Sequence, residues 1–263
     1  PLAHFPFVHD FGVTENYALF LVSSITMGVA GPLFGTKAVS DAAEYRMNRP
    51  VHGIIVDLRT MQVVRRFELP PALIVHFGNS YEQGDELVTS FIRSTDLGNF
   101  TALKDVFRVE RMLGAPLFQY RINVRTGAIS HEEFFHAPPG EFPTWDTRST
   151  CYPTRWAYYV APVDNGTPYF FNSVVKLDTD SGRFQARDFG ADRYTSEALF
   201  APRRGGRSED DGYLLSFVYD ATVHRTEVVV LDARDLEREV AAVRLSHHVP
   251  FGFHGHFTDT VFI

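Results

Sequence analysis

The sequence predicts an all-β fold of stacked antiparallel units, as in a propeller or a sandwich. Three observations carry this. Short runs rich in β-branched and aromatic residues recur along the chain, separated by turn signals built on Gly, Asp and Ser. A strand–turn–strand pattern appears three times, as IIVDLRTM, YRINVRTG and VVKLDTDSG. The chain also holds 24 Phe and 11 Tyr, an aromatic share of 14% that suits pleated, half-buried strands.

In chain order, the predicted strands are 17–25 (YALFLVSSI), 53–58 (GIIVDL), 63–69 (VVRRFEL), 86–93 (ELVTSFIR), 117–124 (LFQYRINV), 156–163 (WAYYVAPV), 173–178 (SVVKLD), 213–220 (YLLSFVYD) and 227–233 (EVVVLDA). Turn signals lie between them at Gln83-Gly84-Asp85, Arg125-Thr126-Gly127, Asp180-Ser181-Gly182 and Asp210-Asp211-Gly212. Helical patterns are confined to 39–47 (VSDAAEYRM) and 100–113 (FTALKDVFRVERML), both read as insertions between strands. No linker or low-complexity segment interrupts 1–263, which predicts a single domain.

Composition narrows the function classes. Hydrophobic residues at 44% and charged residues at 22% are an ordinary globular mixture able to bury a core. A formal charge of -7 with no basic stripe argues against a nucleic-acid partner. The single Cys151 excludes an intramolecular disulfide and a thiolate zinc cluster, and fits a reducing, cytoplasmic compartment. No apolar run approaches the roughly 18 residues that a bilayer span requires, and the opening PLAHFPFVHDF lacks the basic and continuous apolar regions of a secretory signal.

Eleven histidines are too many to assign singly. His9 opens HDFGVTENYALF and His76 opens HFGNSYEQGDELV, each read as standing just before a strand. His254 lies in VPFGFHGHF, read as an aromatic, glycine-rich strand on which His256 would share its face. Imidazole is a common ligand for iron and zinc. On the residues alone, each of these histidines reads more readily as a hydrogen-bonded structural residue than as a ligand, and spacing does not single out these three. HEEFFH (131–136) looks like a zinc-hydrolase helix motif, but its histidines are five apart rather than four and Pro138-Pro139 follows. The acidic run Ser208-Glu209-Asp210-Asp211-Gly212 reads as a solvated hairpin turn rather than a cation site.

Six segments, taken together and in order, resemble the carotenoid cleavage oxygenase family, which includes stilbene-cleaving dioxygenases and retinoid isomerases. HDFGVTENY is similar to that family's H-D-F-x-x-T-E-N motif, HFGNSYE to H-x-x-N-A-Y/W-E, and GEFPTWD to E-F-P-x-x-D/N. RYTSEALFAPR with EDDGYLLSFVYD, then EVVVLDARDLE, then FGFHGHF, resemble the family's later motifs. The resemblance implies a seven-bladed β-propeller, of which this chain covers roughly the last four blades. It implies a non-haem iron(II) held by four histidines, three of which map to His9, His76 and His254. It also implies supporting glutamates: Glu141 to orient His76 and Glu197 to orient His254, each carboxylate fixing an imidazole's tautomer. The implied function is cleavage, with O2, of a conjugated C=C bond in an apolar carotenoid, apocarotenoid or stilbenoid, giving two carbonyl products. Phe11, Phe77, Phe251, Phe253 and Phe257 flank the ligands as pocket candidates. The fourth histidine and third glutamate are expected upstream, so an N-terminal segment or a second chain is expected to close the propeller, because an open one exposes sheet edges. Peripheral membrane contact fits an apolar substrate. His256 stands where the family has Thr. The competing reading is an iron-free propeller that serves as a binding scaffold.

Overall fold

Among the described residues, alternating strands and Asx-type turns build four larger antiparallel sheets, two in each of two compact units, besides a two-stranded ribbon. The computed structural model describes all residues except 1–5, 7, 39, 47, 96–97, 99–111, 113, 135, 164–169 and 261–263. One unit comprises Pro1–Val109 with Leu117–Glu132, the other Glu110–Pro116 with Glu133–Ile263.

The first unit opens with β1 (Gly12–Val13), β2 (Tyr17–Val22), β3 (Ile25–Met27), the short α1 (Ala30–Leu33), β4 (Ala43–Tyr45), β5 (Val51–Asp57) and β6 (Val63–Leu69). It continues with β7 (Leu73–Gln83), β8 (Glu86–Ser94), β9 (Leu117–Asn123) and β10 (Ile129–Glu133). One sheet has the order β1-β2-β5-β6 and the other β10-β9-β8-β7, while β3 and β4 form a separate ribbon. Leu19, Leu21, Val51 and Ile55 of the first sheet and Leu87, Phe91, Phe118 and Ile122 of the second share one buried apolar cluster. The sheets are therefore held face to face by burial, the dominant favourable term in folding.

The second unit contains β11 (Glu141–Thr144), β12 (Trp156–Ala161), β13 (Ser173–Asp178) and β14 (Phe184–Asp188), in that spatial order. Next come β15 (Arg193–Thr195), β16 (Leu199–Pro202), β17 (Gly212–Asp220), β18 (Arg225–Asp232) and β19 (Asp235–Arg244), in a sheet of order β15-β17-β18-β19 with β16 also on β17. Every residue of β13 is buried. Its Lys176 is accommodated because its ammonium donates to Asp210 at 2.9 Å and lies 4.0 Å from the centre of the Trp156 ring; a buried charge is tolerable only when paired in this way.

The threefold sequence repeat marks the same turn in three sheets. Asp57, Asn123 and Asp178 each end the third strand and accept the backbone N–H of Thr60, Thr126 and Ser181 respectively. In each turn the fifth residue adopts a left-handed backbone (Met61, Gly127, Gly182) and returns its N–H to the first residue's carbonyl. Asp232 makes a related turn in the fourth sheet by accepting from Arg234 N–H. The Arg155 guanidinium, with Ser181 Oγ and the Asp180 N–H, holds the buried Asp178 carboxyl well below the usual carboxylate range against the opposing effect of burial.

Four expectations are corrected. The described residues of segment 39–47 form no α-helix: Ser40–Ala42 form a single 3-10 turn and Ala43–Tyr45 pair with Ile25–Met27. So short a helix cannot recover its nucleation cost, and a ladder partner is at hand. The acidic run is no solvated turn. Glu209 accepts the N–H groups of Arg155 and Trp156, Asp210 pairs with Lys176, and Asp211 with Arg203 and Arg234. Residues 251–257 form no strand, so strand alternation does not place His256 beside His254. Phe77 is a core residue, only 5% exposed and packed against Phe91, rather than a pocket residue. The helix expected at 100–113 falls mostly outside the described residues.

Candidate metal centre

His9 and His76 come together within the first unit. His9 is exposed, in the stretch leading into β1, while His76 is half-buried near the middle of β7 rather than ahead of it. Their rings meet edge-on, with centroids 5.3 Å apart and planes at 79°. Each offers an imidazole nitrogen within 4.8 Å of the other's, close enough to share one ion. The β7–β8 register shifts on both sides of Phe77. Such irregularities re-aim a side chain and are common beside functional sites.

Two carboxylates tie the motifs that carry these histidines. Asp10 Oδ1 accepts its neighbour's N–H (Phe11, 2.7 Å), and Oδ2 accepts the N–H of Phe77 at 2.8 Å. In the opposite direction, Glu82 of β7 accepts from Thr14 Oγ1 (2.6 Å), Asn16 N (2.8 Å) and Asn16 Nδ2 (3.0 Å). Burial pushes the Glu82 carboxyl up, but these bonds outweigh it and hold the group below its ordinary value. Both acids lie inside motifs visible in the sequence, yet nothing local signals their partners, which are 66 to 68 residues away in all but the Phe11 contact.

In the second unit His254 sits in an exposed segment, gripped by Glu197. One carboxylate oxygen lies 3.4 Å from His254 Nδ1, and the other accepts the Gly255 N–H at 2.8 Å. Glu197 is the more sheltered partner, its side chain 12% exposed against 43% for the imidazole. A carboxylate at Nδ1 selects the tautomer whose Nε2 lone pair binds metal. The Phe142 ring lies edge-on to His254, with centroids 5.4 Å apart.

Glu141 is half-buried at the start of β11, opposite Val160, with a register shift between it and Thr144. The next residue, Phe142, has φ +58°, a left-handed backbone that is rare for a bulky side chain. Strain of this kind concentrates near functional sites. His256 is exposed in the same segment as His254. The described residues of HEEFFH form no helix: His131 lies on β10 with its ring stacked on Tyr120 at 4.8 Å. Phe11 stacks on Phe20, Phe251 stacks on Phe170, and Phe253 is 60% exposed.

Comparison with known proteins follows the same lines. The family model described as retinal pigment epithelial membrane protein matches residues 1–259. Among curated relatives, the apocarotenoid-15,15'-oxygenase of Synechocystis is 28% identical over 97% of this chain and 52% of its own length. The carotenoid 9,10(9',10')-cleavage dioxygenase of Crocus sativus is 31% identical over 96% of this chain and 48% of its own. The chain thus spans about half the length of these relatives. Among solved structures, a point variant of the Synechocystis apocarotenoid oxygenase superposes with a TM-score of 0.88 at 25% identity, covering 98% of this chain and 54% of that one. A cobalt-substituted form of the same oxygenase gives 0.83 at 26% identity, with coverage of 96% and 52%. These relatives are β-propellers, and the all-β propeller expectation holds, with this chain supplying about half of such a fold.

Proposed function

Because the chain belongs to the carotenoid cleavage oxygenase family, we propose that the protein containing it is an iron(II)-dependent dioxygenase that cleaves a conjugated C=C bond. His9, His76 and His254 would hold the iron, with a fourth histidine supplied from outside this chain. The observation that carries the reading is the pair of prepared ligand environments: His9 with His76 in one unit, and His254 with its Glu197 partner in the other. The donor chemistry fits, since imidazole nitrogens suit iron and leave the carboxylates to act from behind the ligands. The iron, when bound, would supply O2 activation toward the alkene.

The chain's own residues do the rest. Glu197 sets the His254 tautomer and partly offsets the cation's charge. Glu141 is assigned the same task for His76. The exposed aromatic faces of Phe11 and Phe253 offer apolar contact to an extended polyene. A carotenoid or apocarotenoid is the favoured substrate, because the relatives above are named for such cleavages; a stilbenoid is the second choice. Incubating the complete iron-loaded protein with an apocarotenal, under O2, is expected to yield two shorter carbonyl products separable by chromatography. Full retention of the substrate by iron-replete protein would sink the reading and favour the iron-free scaffold.

We further propose a peripheral membrane contact through the segment around α1, where Val29, Leu33 and Phe34 are 55%, 78% and 76% exposed. Three large apolar side chains standing out from one short stretch suit insertion at a lipid interface. No helix among the described residues is long and apolar enough to cross a membrane. Replacing Leu33 and Phe34 together by Asp is expected to abolish co-sedimentation with phosphatidylcholine vesicles; unchanged sedimentation would refute the contact. An N-terminal segment of the same protein is the proposed means of completing the propeller.

A further inference from the structure

We propose that Asp10 and Glu82 form a reciprocal clamp that sets the spacing of His9 and His76, making both acids positioning residues for the metal; this rests on the iron reading above. The two histidines stand on segments belonging to different sheets, and β1 has its ladder with β2 while β7 has its ladder with β8. Among the described residues, no sheet ladder therefore fixes the distance between the histidines, although their segments lie in contact. A Cβ on Gly12 would stand 2.6 Å from Ser80 Oγ of β7, so a larger residue there would force Ser80 to shift.

What does fix the distance is a pair of crossed ties. Asp10, the residue after His9, reaches across to the N–H of Phe77, the residue after His76. Glu82, six residues beyond His76 on the same strand, reaches back to Thr14 and Asn16 on the His9 segment. Each segment thus contributes one carboxylate and receives the other. The Phe77 tie falls at the register irregularity of β7, where an acceptor from outside the sheet can take a strand N–H. On its other side, Ile74 exchanges two hydrogen bonds with the buried Oγ of Ser23, which follows β2. His76 is consequently held between two anchor points, and Asp10 ties down the segment beside the exposed His9. A ligand held within a few tenths of an ångström binds metal more tightly than a loose one.

The test uses the complete protein freed of its metal and titrated with Co(II), whose visible absorption reports both affinity and coordination geometry. Asp10→Ala and Glu82→Gln are each expected to weaken Co(II) binding by about 10- to 100-fold, the range typical of groups that orient ligands, and to alter the band shape. Asp10→Asn keeps one carbonyl acceptor and is expected to recover part of the affinity. Wild-type affinity and spectrum in Asp10→Ala would overturn the clamp. So would an affinity loss that matches the fraction unfolded, measured by circular dichroism on the same samples, with the bound spectrum unchanged. His76→Ala separates the two readings. If it loses Co(II) while Asp10→Ala does not, the clamp alone fails; if it binds Co(II) normally, the histidine site fails and the clamp with it.

Discussion

His76→Ala is expected, on the proposed iron reading, to abolish iron binding and to reduce turnover to background while leaving the fold in place. His76 contributes a nitrogen within reach of His9 from a strand whose backbone is independently anchored at Ile74 and Phe77. Removing the imidazole therefore deletes a ligand without deleting the hydrogen bonds that shape β7. The loss should exceed the roughly 10- to 100-fold that follows removal of a group supporting a ligand, because a direct donor is gone. The side chain is only half-buried, so the stability change should stay within about 2 kcal/mol. Iron content by colorimetric assay, read beside the thermal unfolding midpoint, checks both halves. Iron retained at the wild-type ratio would remove His76 from the ligand set.

Glu197→Gln is the second large effect, expected at about 10- to 100-fold in iron affinity or turnover. The carboxylate does two jobs, facing His254 Nδ1 and accepting the Gly255 N–H at 2.8 Å. Glutamine retains a carbonyl for one of them but brings an NH2 donor and loses the negative charge, so the imidazole is no longer held in one tautomer by a charged acceptor. Glu197→Ala removes both contacts and should be worse. Equal iron affinity in the wild type and both variants would show that the grip on this segment does not matter for metal binding.

Much of the fold was legible because side-chain alternation and turn chemistry are local. β6 and β13 lie where the sequence predicts them, and Asp57, Asn123 and Asp178 build the same turn in three sheets. β7 was missed because it is buried over most of its length, so it shows no alternation, and its Gly-Asn pair reads as a turn. The outer strands β10, β14 and β19 were missed for the opposite reason: almost none of their residues is buried, so they lack a clear apolar alternation, and their ladders make them strands. FGFHGHF carries aromatic strand composition but joins no ladder; β-propensity reflects fit to a neighbouring strand and cannot act without one.

The candidate site divides the same way. By its own residues the sequence determined an all-β chain with recurring polar turns, and its ordered motifs pointed to His9, His76, His254, Glu141 and Glu197 as the residues to watch. It left a structural role open for each histidine, because an imidazole's chemistry does not reveal its neighbours. Tertiary structure alone decided that His9 meets His76, that Asp10 and Glu82 cross-tie their segments, and that Glu197 grips His254. The physical reason is distance along the chain: these contacts join residues more than fifty positions apart, and they exist only once burial of the sheet cores has brought separate strands together.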